Sequence, residues 1–140
     1  MDGDTGRAVL ARAEAAADAL ARVGLGVVIL LAGVHKLLDP AAWAVYIVPP
    51  FDRLVLLSPV DFMLLNGVLE LPFALALIFD HRTTVAAAFV TASLVATVLY
   101  LAVAAALTDG AFVDVLIRDI GLAALAAHVT IRAADRRTTA

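Results

Sequence analysis

Glu70 and Arg118 have the greatest capacity for chemistry in this sequence, because each places a formal charge inside a long apolar stretch. An ionisable side chain at the centre of a membrane helix costs on the order of 2.5 to 3.5 kcal/mol on insertion scales, so it needs a partner, a wet cavity or a function. Glu70 reads functionally as a proton-linked or ligand-binding carboxylate, and structurally as half of an interhelical ion pair with Arg118. Arg118 has the matching alternatives: it pairs with Glu70 or Asp114, or it donates hydrogen bonds to an anion or a carbonyl oxygen. Lys36, His35, Asn66, Tyr100 and Asp119 complete the set as ligand-binding candidates. Three of them have plainer alternatives: Lys36 snorkels to the headgroups, Tyr100 anchors at the interface, and of Asp114 and Asp119, the latter about 100° around a helix from Arg118, at least one faces an interhelical gap.

Four apolar stretches must position these groups, roughly at residues 22–38, 59–79, 84–107 and 112–131. Each meets or nearly meets the ~20 residues that cross ~30 Å of hydrocarbon at 1.5 Å per residue. The composition agrees, with 64% of residues hydrophobic and only 16% charged. The expected fold is all-α: one membrane domain over residues 1–140, built as a four-transmembrane-helix antiparallel bundle, with an interfacial outer loop between spans one and two. Asp4 or Thr5 caps a helix that continues through Arg22 into the first span, a separate surface-lying helix being the alternative. Asp2, Asp4, Glu14 and Asp18 argue that this span is not a cleaved leader. Asp39 and Pro40 start a short helix, and Trp43, Tyr46 and Phe51 place the following loop along the membrane face. Ser58, Pro59 and Asp61 form a helix start with a capping-box acid, and Pro72 predicts a bend in span two. Tight turns at Asp80-His81-Arg82 and Thr108-Asp109-Gly110 make spans two, three and four antiparallel neighbours. Arg7, Arg12, Arg22, Arg82, Arg132, Arg136 and Arg137 fall on one side, against Lys36 and Arg53 on the other, which predicts a multi-pass cell-membrane protein with both termini cytoplasmic.

Depth and helical phase bring the polar groups together. Counted inward from the outer ends, His35 lies about 5 Å deep, Asn66, Tyr100 and Arg118 about 10 Å, and Glu70 about 16 Å. All four spans contribute, so the spacing predicts a pocket in the outer half of the bundle. On span one, Arg22, Gly26, Ile29, Gly33 and Lys36 share an inward stripe on which the glycines permit close helix approach. Asn66 and Glu70 share a face of span two. On span four, Asp114, Arg118, Gly121, Leu125, His128 and Arg132 form a stripe expected to face the interior.

Several chemistries are disfavoured. The chain has no cysteine, so thiolate catalysis, Fe–S ligation and Cys-based zinc sites within it are excluded, and no metal site is expected. His35 and His128 lie near opposite faces and His81 in a loop, which argues against a haem held by two histidines of one copy. The net charge of −3 and the lack of a basic run interleaved with aromatics argue against nucleic acid.

Two segments of span one, Arg22-Val23-Gly24-Leu25-Gly26 and Leu30 to Pro40 (LLAGVHKLLDP), resemble the first span of the DoxX family of small four-span membrane proteins. Gly67-Val68-Leu69-Glu70-Leu71 resembles that family's second span, and Arg118-Asp119-Ile120-Gly121-Leu122 its last. The resemblance implies a four-helix bundle and a link to membrane oxidoreductase systems, including quinone-reducing oxidation of sulfur compounds such as thiosulfate. It carries functional weight to Arg22, Gly26, Gly33, Lys36 and Glu70, and to Arg118 and Asp119. The resulting expectation is a membrane subunit of a quinone-linked oxidoreductase system. Its pocket holds a lipid-soluble quinone or small anion, Glu70 relays a proton and Arg118 polarises an oxygen. Other membrane or peripheral oxidoreductase subunits, and a second copy of the chain, are its candidate protein partners. The alternatives are a non-catalytic assembly or anchoring partner, with the buried charges fixing helix register, and a small oligomeric transporter.

Overall fold

A computed structural model describes residues 3–49, 51–53 and 56–138. The described residues form five α-helices, one 3-10 turn at Phe51–Arg53, and no strand. Helix α1 (Gly3–Leu38) runs 36 residues without a break, about 54 Å at the standard rise, so its first turns project well beyond a ~30 Å hydrocarbon layer. Asp39 ends it and caps α2 (Pro40–Ala44), its carboxylate accepting from the Ala42 N–H at 3.2 Å. Helix α3 (Pro59–Ile78) starts at Ser58, whose Oγ accepts the Asp61 N–H at 3.1 Å and donates to the Asp61 carboxylate at 2.6 Å. That reciprocity replaces the expected capping box: the acid receives the hydroxyl. The chain stays helical through Pro72.

Helices α4 (Thr83–Leu107) and α5 (Val113–Thr138) follow two compact turns. Positive φ at Asp80, Arg82, Asp109, Gly110 and Phe112 reverses the chain within a few residues, as both sequence turns predict. Successive long helices therefore run antiparallel. The most extensive packing joins α1 to α3 and α4 to α5, and the two pairs meet each other less fully. Gly26 lies against Ala74 and Ile78 while Gly33 lies against Gly67 and Glu70, so α1 and α3 run in opposite directions along a close seam. Between α4 and α5 the Thr91 and Thr130 hydroxyls meet at 3.0 Å, and the Thr84 hydroxyl donates to the Ala133 carbonyl at 3.1 Å.

The core occupies one end of this arrangement. Leu25, Ile29, Ala74, Leu77, Ala86, Ala87, Val90, Ala126 and Val129 pack together at the end that carries the termini. Arg22 closes that end by donating to the carbonyls of Leu77 and Ile78, the last turn of α3. Asp18 and Arg132 bridge α1 and α5 beside it through a bidentate pair, at 2.9 and 3.0 Å. The opposite end is hollow.

Helices α1, α3 and α4 are long and apolar enough to cross a membrane. Leu31, Leu65 and Leu99 are exposed along them, as surfaces whose solvent is lipid require. Helix α5 has the length, but Asp114, Arg118 and Asp119 in its first two turns and Arg132 near its end interrupt its apolar run. Its phase also differs from expectation. Asp119, Ala126, Val129 and Ala133 form the buried stripe, whereas Asp114, Arg118, Gly121 and His128 are exposed. The reason is steric: the alanine face packs flat against α4, and the bulky Arg118 face is turned outward. The stripe of α1 lies as expected, with Gly26, Ile29, Gly33 and Lys36 all buried.

Candidate functional site

The site begins at the crossing of α1 and α3. A Cβ on Gly67 would lie 2.9 Å from the Gly33 carbonyl and 3.1 Å from the Lys36 Cβ, and one on Gly33 would lie 3.2 Å from the Glu70 Cβ. The helices thus touch backbone to backbone where neither residue has a side chain. One turn on from Gly33, Lys36 points across the seam and donates to Asn66 Oδ1 at 2.8 Å and Glu70 Oε1 at 2.5 Å. Lys36 is 7% exposed, so its ammonium turns into the protein and does not snorkel to the headgroups. The second carboxylate oxygen, Glu70 Oε2, is buried with no hydrogen-bond partner among the described residues. An orphaned acceptor of this kind is costly unless something donates to it.

A cavity of about 550 Å³ opens beside this triad, between the α1/α3 pair and the α4/α5 pair. Lys36, Asn66 and Glu70 form part of one wall, and Arg118 and Asp119 reach it from α5. Most of the remaining lining is aliphatic or aromatic, including Ile29, Met63, Val90, Leu101 and Leu122. Phe73 and Phe89 stack with centroids 3.8 Å apart on the side toward the packed core. Trp43, Tyr46, Ile47 and Phe51 cover the other side. The Trp43 ring lies 4.7 Å from Lys36 Nζ, and its indole N–H donates to His35 Nδ1 at 2.7 Å. Tyr100 secures the covering segment: its hydroxyl donates to the Tyr46 carbonyl at 2.5 Å and accepts the Val48 N–H at 2.9 Å.

The sequence-predicted residues divide accordingly. Lys36, Asn66, Glu70, Tyr100, Arg118 and Asp119 share the cavity wall. His35 is exposed outside the lining and meets the site through Trp43. The partner of Glu70 is Lys36, whereas Arg118 donates to its neighbour Asp119 at 2.9 Å. The Gly33–Gly67 contact brings Lys36 close enough to compete successfully for Glu70, and the outward rotation of α5 carries Arg118 away. The site also includes residues outside the sequence-predicted set. Trp43, Tyr46 and Phe51 roof the cavity, and Phe73 and Phe89 floor it. Tyr100, read from sequence as a ligand contact or an interfacial anchor, instead spends its hydroxyl on backbone atoms of the roofing loop, which no spacing signals.

The DoxX family model matches residues 17–104, which include Lys36, Asn66, Glu70 and Tyr100 and stop short of Arg118 and Asp119. No protein with a curated description and no solved structure matches the chain. With three helices long and apolar enough to cross a bilayer, and a family match over well more than half its length, this multi-pass membrane protein belongs to the DoxX family.

Proposed function

We propose that the protein is the quinone-holding membrane subunit of an oxidoreductase system, with α5 as a fourth span and both termini cytoplasmic. The observation that carries this reading is the 550 Å³ cavity, apolar over most of its wall, with Lys36, Asn66 and Glu70 converging on one side of it. A lipid-soluble ring with a carbonyl at its edge matches that distribution: the ring packs among the aromatics and the carbonyl oxygen meets the Lys36 ammonium. Reduction of a quinone to a quinol takes up two electrons and two protons. The electrons come from a partner redox subunit. Lys36 and Glu70 hold one of the two protons between them next to the ring and deliver it, the second comes from water at the outer membrane face, and Glu70 Oε2 accepts a hydrogen bond from the quinol hydroxyl that forms. In this reading Lys36 takes the oxygen-polarising role first assigned to Arg118, while Arg118 and Asp119, paired with each other, form the facing wall.

The test is quinone content and affinity. Full-length protein purified from its native membrane into neutral detergent is expected to retain quinone, detected by its ultraviolet spectrum after solvent extraction. Lys36→Met is expected to lower affinity for an added short-tail quinone by on the order of tenfold or more, the loss of one charge-assisted hydrogen bond. Protein that carries no quinone, binds none when it is supplied, and co-purifies with an intact partner would replace this reading with the assembly-partner one.

A further inference from the structure

A second cavity, of about 410 Å³, lies at the opposite end of the molecule from the proposed quinone site, between the α3–α4 turn and the last turns of α5. Arg82, Arg136 and Arg137 line it together with Thr83, Thr84 and Asp80. Asp80 is already engaged: it receives the Thr83 hydroxyl at 2.5 Å and lies 3.5 Å from the Arg22 guanidinium and 3.9 Å from that of Arg136. The lining sets one carboxylate against three guanidinium groups, so the cavity carries net positive charge. The α4 N-terminus adds to it. Arg82 stands at the N-cap position with φ of 47° and no side-chain cap, so the positive end of the α4 dipole borders the same space.

We infer that this cavity binds a phosphate ester, specifically the headgroup phosphate of an anionic membrane lipid. Arginine recognises phosphate oxygens through paired N–H donors, and three guanidiniums around one concavity suit an ester with no cation of its own. Location favours the lipid over a soluble phosphate. The cavity sits where two apolar helices, α3 and α4, end and begin, which is headgroup depth for segments that cross the bilayer. Phe79, 75% exposed, and Val85, 58% exposed, flank it and offer apolar surface to the acyl chains. The site shares no lining residue with the quinone cavity, so its fate is independent of that proposal.

Lipid retention by the full chain decides the matter. Reconstituted into discs of mixed phosphatidylcholine and phosphatidylglycerol and analysed by native mass spectrometry, the protein is expected to retain phosphatidylglycerol in preference by roughly tenfold. The double substitution Arg82→Gln/Arg137→Gln is expected to abolish that preference, and Arg53→Gln, at the other end, to leave it unchanged. Inorganic phosphate added to the detergent-solubilised protein separates the two sources. Weak or absent thermal protection supports the lipid. Protection equal to that by phosphatidylglycerol, lost in the double variant, keeps the phosphate site but replaces the lipid with a soluble ester. Equal retention of both lipids by the unsubstituted protein together with no phosphate effect, or an undiminished preference in the double variant, would overturn the proposal; the first comparison needs no variant to fold.

Discussion

Lys36 and Glu70 form the interaction on which the candidate site depends, and their burial sets the size of the effects expected from mutation. Both side chains are largely removed from solvent, at 8% and 15% exposure. Breaking a buried pair by removing one partner typically costs about 3 to 5 kcal/mol, because the remaining charge is left without compensation. Lys36→Met and Glu70→Gln are therefore each expected to destabilise the protein in reversible detergent unfolding, and the double variant to recover part of the loss. Arg118→Gln, whose partner is Asp119, is expected to combine additively with Glu70→Gln to within about 0.5 kcal/mol. Strong coupling of Glu70 to Arg118 in place of Lys36 would contradict the pairing described here.

At the scale of elements, two features shape the cavity: a glycine seam and a tethered roof. Gly67→Ala places a Cβ 2.9 Å from the Gly33 carbonyl, and backbone atoms have no rotamer by which to retreat. The helices must separate, so a loss on the order of 1 to 3 kcal/mol is expected, with weaker Lys36–Glu70 coupling. Gly121 provides the control, having nothing within 4 Å of its would-be Cβ; Gly121→Ala should be neutral or stabilise by up to roughly 1 kcal/mol through helix propensity. Equal destabilisation by both substitutions would argue against the seam. The roof hangs on Tyr100. Removing its hydroxyl in Tyr100→Phe leaves the Val48 N–H and the Tyr46 carbonyl without their partner, and hydrogen exchange at Val48 should accelerate while the helical core around Ala87 stays protected. Unchanged exchange at Val48 would mean that the segment is held by its aromatic contacts alone.

For the whole molecule the central question is whether α5 crosses the bilayer. Asp109 lies in the turn that precedes it and Thr138 in its last turn, and the chain contains no cysteine, so single-cysteine labels are unambiguous. Asp109→Cys is expected to react with an impermeant reagent from outside intact cells, and Thr138→Cys only after permeabilisation. Labelling of both from one side would leave α5 on the membrane surface and reduce the molecule to three spans. The reverse pattern would keep four spans and move the quinone cavity to the cytoplasmic half.

Much of this architecture was legible in the order of residues. Apolar runs of sufficient length dictate α1, α3 and α4, since a chain in hydrocarbon must satisfy its backbone internally and a helix does so locally. Asp39 with Pro40, Ser58 with Pro59, and the two short turns set the helix limits, because capping and turn chemistry act over only a few residues. The 3- and 4-residue recurrence of Gly26, Ile29, Gly33 and Lys36 likewise placed the α1 face correctly. What the sequence left open was choice among partners. Helical depth pointed Glu70 to Arg118 and set Lys36 at the headgroups. Only packing decided, through a Gly33–Gly67 contact that spacing on one helix cannot reveal and an alanine face on α5 that fits α4 better than the face carrying Arg118. The aromatic roof was hidden for the same reason. Trp43, Tyr46 and Phe51 suit a headgroup layer or a cavity equally well by type, and two hydrogen bonds from Tyr100, more than fifty residues away, determine which they meet.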